Sequence, residues 1–303
     1  MTPNPTEAGP AENFGRATFQ PPTVVIMRIE ITTDAAEFRS RTESFLLRDP
    51  LRHTVILTGV ANHIAGIQAG NGTSRFLSLH ADDASVLGVA MRVTDRDMYL
   101  GELPEGSVGM VADALAEVAP ESTGVEGLIA DATAFAERWS ERLGTGFRRS
   151  YTTRLYRLGA LRIPDVPGNP RRATESDVAL CTEFAEAMRI EAGISPPGLD
   201  KAAIRNRVAA GLMWFWERDG RPTSFAAQQI PVHGWSRIGL VYTPPEERGH
   251  GYASAVTAHI AQLLRADGLN VCLFADTANR TSSKIYQAIG FHPTHEFVHH
   301  AFG

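Results

Sequence analysis

The stretch that most restricts this chain is "SRIGLVYTPPEERGHGYASAVTAHIAQLLRADG", residues 236–268. Its start is short, β-branched and aromatic, the composition of a strand. From Ala253 the apolar residues Ala253, Val256, Ile260, Leu263 and Leu264 recur at helical spacing. Gly268 follows the last turn as a helix stop. Between strand and helix stand Gly249 and Gly251, one residue apart. The first amides of a helix have no partner inside it, and the helix dipole adds partial positive charge there. The two glycines let the backbone approach a ligand closely, and Arg248 adds a fork of donors suited to phosphate. The segment reads as a strand, a glycine turn and an anion-binding helix start. The plainer alternative is a tight turn that binds nothing.

Two nucleotide loops do not fit. No lysine follows the glycines, so the GxxxxGK[ST] loop is absent. Tyr252, Ala253 and Ser254 after Gly251 leave GxGxxG incomplete.

"RGHGYA" resembles the acyl-CoA pyrophosphate loop of the GNAT acetyltransferase superfamily. A second block agrees: "CLFADTANRTSSKIYQAIGF", 272–291, reads as a strand, Asn279, a short helix with Ser282 and Tyr286, then Gly290-Phe291. The resemblance covers roughly the last quarter of the chain. It implies acetyl-CoA as cosubstrate, transfer of its acetyl group to a primary amine, and no metal. It places Arg248, Gly249, His250, Gly251, Tyr252 and Ala253 at the pyrophosphate. It places the backbone of Leu240, Val241 and Tyr242 at the thioester carbonyl, and Tyr286 as the acid that protonates the leaving thiolate. Asn279 either caps its helix or meets the pantetheine arm. Ile285 and Ile289 are expected to form that helix's buried stripe, with Tyr286 bordering it. One departure is Glu246-Glu247 beside the loop, two acids expected to face solvent. No general base stands out; Glu191, Glu217, His233 and Asp276 are the candidates.

The first half echoes the second. "MYLGELPEGSVGMVADALAEVA" (98–119) parallels "IGLVYTPPEERGHGYASAVTAHIA", and "GLIADATAFAERWSERLGTGF" (127–147) parallels the 272–291 block. The first copy carries EGSVG where the second has RGHG. The fold expected is therefore α/β with a mixed sheet, built as two tandem GNAT-like domains. These are a degenerate one over 27–160 and a catalytic one over 168–303, joined by the Pro- and Gly-rich "RLGALRIPDVPGNP". Within the second, Asp219-Gly220 marks a hairpin and "RRATESDVALCTEF" a strand, a cap and a helix.

With 303 residues, two domains are expected. A net charge of -5 leaves no basic footprint for nucleic acid. No apolar run nears the ~18 residues of a membrane span. Residues 1–26 read as a disordered tail without secretion-signal features, which points to the cytoplasm. Cys181 and Cys272 sit in apolar contexts and read as buried thiols. His299 and His300, adjacent on a strand, should face opposite ways and not chelate together. Two rival functions remain: a small-amine acetyltransferase similar to the mycothiol synthases, and an acyl-CoA-binding regulatory module without turnover.

Overall fold

The structure is a computed structural model that describes residues 1, 27–66, 72–94, 96–194 and 199–303. The expected tail, residues 2–26, lies outside the described residues. The first half runs β1 (Arg28–Thr32), α1 (Ala35–Leu46), α2 (Thr54–Ile64), β2 (Arg75–His80), β3 (Val86–Arg92) and β4 (Met98–Leu100). It continues with α3 (Val108–Val118), β5 (Gly124–Leu128), α4 (Ile129–Leu143) and β6 (Phe147–Leu158). The second half runs β7 (Asn169–Arg172), α5 (Val178–Glu191), α6 (Lys201–Ala209), β8 (Met213–Arg218), β9 (Arg221–Gln228) and β10 (Trp235–Tyr242). It ends with α7 (Tyr252–Ala266), β11 (Asn270–Asp276), α8 (Arg280–Ala288) and β12 (Phe291–Phe302).

The twelve strands among the described residues form one sheet, in the order β1-β2-β3-β4-β5-β12-β6-β11-β10-β9-β8-β7. The order is symmetric about its centre. Each half contributes five strands in sequence, with one parallel pair, β4–β5 and β10–β11. The final strands are exchanged: β6 of the first half pairs with β11 of the second, and β12 of the second pairs with β5 of the first. The two exchanged strands pair with each other along their whole length. The repeat read from sequence is thus a repeat of topology.

Local chemistry explains the elements. The β8–β9 turn puts Asp219 and Gly220 at φ 51° and 73°, left-handed conformations that this dipeptide tolerates. Thr174 and Asp177 form a reciprocal capping box ahead of α5. Helix α7 buries Tyr252, Ala255, Val256, Ala258, Ile260, Ala261 and Leu264. Its three buried alanines let it lie close to a sheet face that carries Trp214 and Trp216. Helices α3, α4, α7 and α8 cover one face of the sheet. On the other face α1 and α2 cover the first half, and α5 and α6 the second. Both cysteines are buried, free thiols.

Candidate active site

Strand β10 breaks its own regularity where the chemistry is expected. Its pairing to β9 shifts register between Gly239 and Tyr242, and Leu240 has φ 52°. A left-handed leucine is costly, of the order of 1–2 kcal/mol, and the bulge turns the strand away from its parallel neighbour. The β10–β11 ladder ends at Ile238 opposite Leu273, although both strands continue. The two strands part at that point, which opens a slot in the sheet that begins beside Leu240, Val241 and Tyr242.

The glycine turn stands at the mouth of this slot. Gly249 and Gly251 both have φ 83°. Among the described residues, none of the backbone N–H groups from Gly249 through Ser254 meets an acceptor; the first to do so is Ala255, which donates to the Gly251 carbonyl (3.0 Å). Six consecutive amides at the positive end of a fifteen-residue helix form an anion cradle.

The side chains of the turn have other occupations. Arg248 donates through Nη2 to both oxygens of Glu191 (2.9 and 2.6 Å) and through Nε to the Thr243 carbonyl (3.0 Å). Glu191 also accepts from the Tyr242 hydroxyl (3.3 Å). Tyr252 is 2 % exposed; its ring lies in the core and its hydroxyl accepts from Arg218 (3.1 Å). The residue therefore offers the loop its amide, with the ring serving as an anchor. His250 stacks on Tyr252, with centroids 5.4 Å apart. Ala253 is half-buried and contributes a free amide. Glu246 is exposed and Glu247 half-buried.

Beyond β11, the Asn279 side chain accepts from the Ser282 amide (3.0 Å), so Asn279 caps α8. Tyr286 is 7 % exposed and is more buried than Ile285. This corrects the stripe read from spacing: Tyr286 and Ile289 are the buried pair, one turn apart, and Ile285 lies at the margin. The reason is the short helix, which packs between Tyr156 and Phe291, with ring centroids 6.5 and 6.2 Å from Tyr286. Burial pushes the Tyr286 phenol above the ordinary tyrosine range. Its hydroxyl has no hydrogen-bond acceptor among the described residues.

All four carboxylate and histidine candidates for a base have partners. Glu191 holds Arg248, Glu217 accepts from Arg171 (2.6 Å), His233 lies 3.3 Å from Glu43, and Asp276 accepts from the Ala278 amide (2.9 Å). His299 and His300 do face opposite ways. The former meets Asp97 (2.7 Å) and stacks on Tyr151, while the latter meets Thr133 of α4 (3.2 Å).

The family model described as FR47-like protein matches residues 218–298, the span from the end of β8 into β12. A GCN5-related N-acetyltransferase from Sphaerobacter thermophilus superposes with a TM-score of 0.58 at 16% identity, over 91% of this chain and 95% of that one. The fold is that of the GNAT acetyltransferases. It is present twice: a tandem GNAT protein from the clavulanic acid biosynthesis pathway superposes with a TM-score of 0.55 at 14% identity, over 90% of this chain and 98% of that one. A Drosophila protein gives a TM-score of 0.65 at 13% identity, over 92% and 99%. No curated protein sequence matches the chain significantly. In this chain the slot and cradle belong to the second half. The equivalent turn in the first half is closed on itself: the Ser107 amide and hydroxyl both donate to the Pro104 carbonyl (3.1 and 2.7 Å).

Proposed function

We propose that the protein is an acetyl-CoA-dependent N-acetyltransferase that moves an acetyl group to a primary amine by direct attack. The observation that carries this reading is the run of six free amides, Gly249 to Ser254, beside a slot opened by the Leu240 bulge. The amides receive the pyrophosphate, with Arg248 at the rim. The pantetheine arm enters between β10 and β11, past the capped start of α8 at Asn279. A backbone amide of the Leu240–Tyr242 segment stabilises the oxyanion that forms on the thioester carbonyl. The neutral amine nitrogen attacks the carbonyl carbon, the C–S bond breaks, and the thiolate takes the Tyr286 proton, which solvent restores. The amine loses its extra proton to a base before the amide is complete.

The second half, 168–303, performs this chemistry, and the first, 27–160, is a degenerate copy without a CoA site. The protein works in the cytoplasm on a small-molecule or protein amine. A second reading has one specific support: Glu191 already neutralises Arg248, which suits a regulatory acyl-CoA sensor. Calorimetry with acetyl-CoA, followed by an amine panel read as free thiol release, separates the two. One equivalent of acetyl-CoA per chain with amine-dependent thiol release is expected. Binding without release from any amine leaves the sensor.

A further inference from the structure

On the sheet face opposite α7 and α8, residues of both halves meet in one cluster around β10, β11 and β12. Arg237 lies on β10 one residue before the strands part, paired opposite Cys272. Its guanidinium sits over the Phe274 ring of β11, 5.9 Å from the centroid. Phe274 in turn packs on Phe297 of β12, with centroids 5.5 Å apart. Arg237 Nη1 is buried and has no hydrogen-bond partner among the described residues. Arg207, at the end of α6, reaches the same place: its Nη2 donates to Gln229 (3.4 Å), whose own amide donates to the Arg237 carbonyl (2.8 Å). Among the described residues neither guanidinium forms an ion pair, whereas Arg154, Arg171 and Arg248 all do. Burial, with the charges of Arg237 and Arg96 beside it, brings Arg207 down to about 10. Two neighbouring cations that share no anion are unfavourable unless a ligand supplies one.

The first half supplies the opposite charge. Glu126 of β5 accepts from the Tyr151 hydroxyl (3.3 Å) and from the Thr153 hydroxyl (3.5 Å) of β6, so its carboxylate leans across β12. Thr153 stands opposite Asp276 at the end of β11. That places the Glu126 carboxylate about one strand spacing, ~4.8 Å, from β11 on the side where the slot opens. Burial raises Glu126 above the ordinary carboxylate range, with Arg237 among the cations that oppose the rise.

We infer that the acceptor binds between these charges, and that it is a small zwitterion whose anionic group pairs with Arg237 and Arg207 while its amine faces Glu126. The inference rests on the acetyltransferase reading above. It names the substrate class and gives the first half a part in binding. Guanidinium pairs recognise carboxylate and phosphate by the same forked geometry, so both anions belong in the test.

The test measures thiol release at saturating acetyl-CoA with three amines of similar length: β-alanine, O-phosphoethanolamine and n-propylamine. The two anionic amines should show KM values at least tenfold below that of propylamine, and the lower of the two identifies the anion. Arg237→Met and Arg207→Met should each raise KM for the anionic amines by roughly 10- to 100-fold, the range of a charged hydrogen bond. Neither should move KM for propylamine. Glu126→Gln should weaken all three amines alike. Equal KM values for the three amines, or arginine variants that move all three equally, overturn the proposal. Saturation-transfer NMR of the same amines on the CoA-saturated protein gives an independent readout. Anionic amines that bind through Arg237 without any thiol release would refute the transferase reading and leave the anion site standing. Absence of binding by NMR together with absence of turnover would refute the site.

Discussion

Tyr286→Phe is the substitution that best separates chemistry from packing. The ring lies between Tyr156 and Phe291 and contributes to the core shared with α7. Phenylalanine keeps that ring. The hydroxyl meets no acceptor among the described residues, so its loss breaks no protein hydrogen bond, and stability should change by less than about 1 kcal/mol. The rate should respond quite differently. A positioned general acid contributes roughly tenfold to a thousandfold, which is about 1.4–4 kcal/mol of barrier. The expected result is a kcat lower by that factor, with the acetyl-CoA dissociation constant and melting temperature nearly unchanged. Because burial holds the phenol protonated beyond the ordinary tyrosine range, the wild-type rate should not fall through ionisation of this group below about pH 10. Tyr286→Ala serves as the packing control, since truncating a buried aromatic ring costs about 3–5 kcal/mol. The assay is thiol release under steady state and in a single turnover, beside calorimetry and thermal unfolding. An unchanged kcat in the Phe variant would refute the acid role. Affinity, rate and stability all falling together would show that the residue only packs.

The two glycines of the turn differ in surroundings at the same φ of 83°: a Cβ at Gly249 meets nothing within 4 Å, whereas one at Gly251 meets Val166 at 3.0 Å. Gly249→Ala should therefore cost only left-handed strain, about 1–2 kcal/mol, and weaken acetyl-CoA. Gly251→Ala should lose more melting temperature, part of which Val166→Ala restores; equal acetyl-CoA affinity in all of these proteins would mean that the loop is only a turn. At acid pH, hydrogen bonds from Arg171 hold Asp177 down to about 2, so its contribution is complete above the ordinary carboxylate pKa near 3.8 and is lost as pH falls towards 2. That contribution is at most about 2 kcal/mol. Arg171→Met should lower urea midpoints at pH 7, with the deficit against wild type narrowing between pH 4 and pH 2; a constant deficit would contradict the assignment.

Local chemistry made much of this legible in the sequence. The cradle was visible because glycines, a preceding strand and a following amphipathic helix are all contiguous. The Asp219-Gly220 hairpin and the repeat were visible for the same reason. The Leu240 bulge was not, because a left-handed leucine carries no glycine to mark it. The hold of Glu191 on Arg248 was also hidden, since the ion pair joins the end of α5 to a loop beyond three further strands. Tyr286 was misplaced on its helix because spacing gives a stripe but not the neighbours that centre it. The charged residues around Arg237 left only faint signals. Glu126 is a lone acid within the apolar "GVEGL", and Arg237 a lone cation within "SRIGLVY". A charge inside a strand gains meaning only once the facing strand is known.

The exchange of β6 and β12 decides how far the halves can be separated. Side-chain alternation marks the two faces of a strand but does not say which neighbours that strand will pair with. In a fragment of residues 168–303, β11 keeps β10 but loses β6, and β12 loses both of its neighbours. The row from Cys272 to Asp276 becomes an open edge, and Cys272 and Phe297 lose the apolar cover of α1 and α2. Open, apolar edges pair with other chains, so this fragment should aggregate on expression. Extending it back to residue 147 restores β6 to both strands and closes the β11–β6–β12 ladder. The 147–303 fragment should be markedly more soluble and should bind acetyl-CoA, because the cradle and slot lie wholly within it. It should still transfer acetyl groups poorly to anionic and uncharged amines alike, because Glu126 is absent. If the 168–303 fragment proved as soluble, stable and active as the full chain, neither the exchanged strand nor the first half would have a role in holding or completing the site.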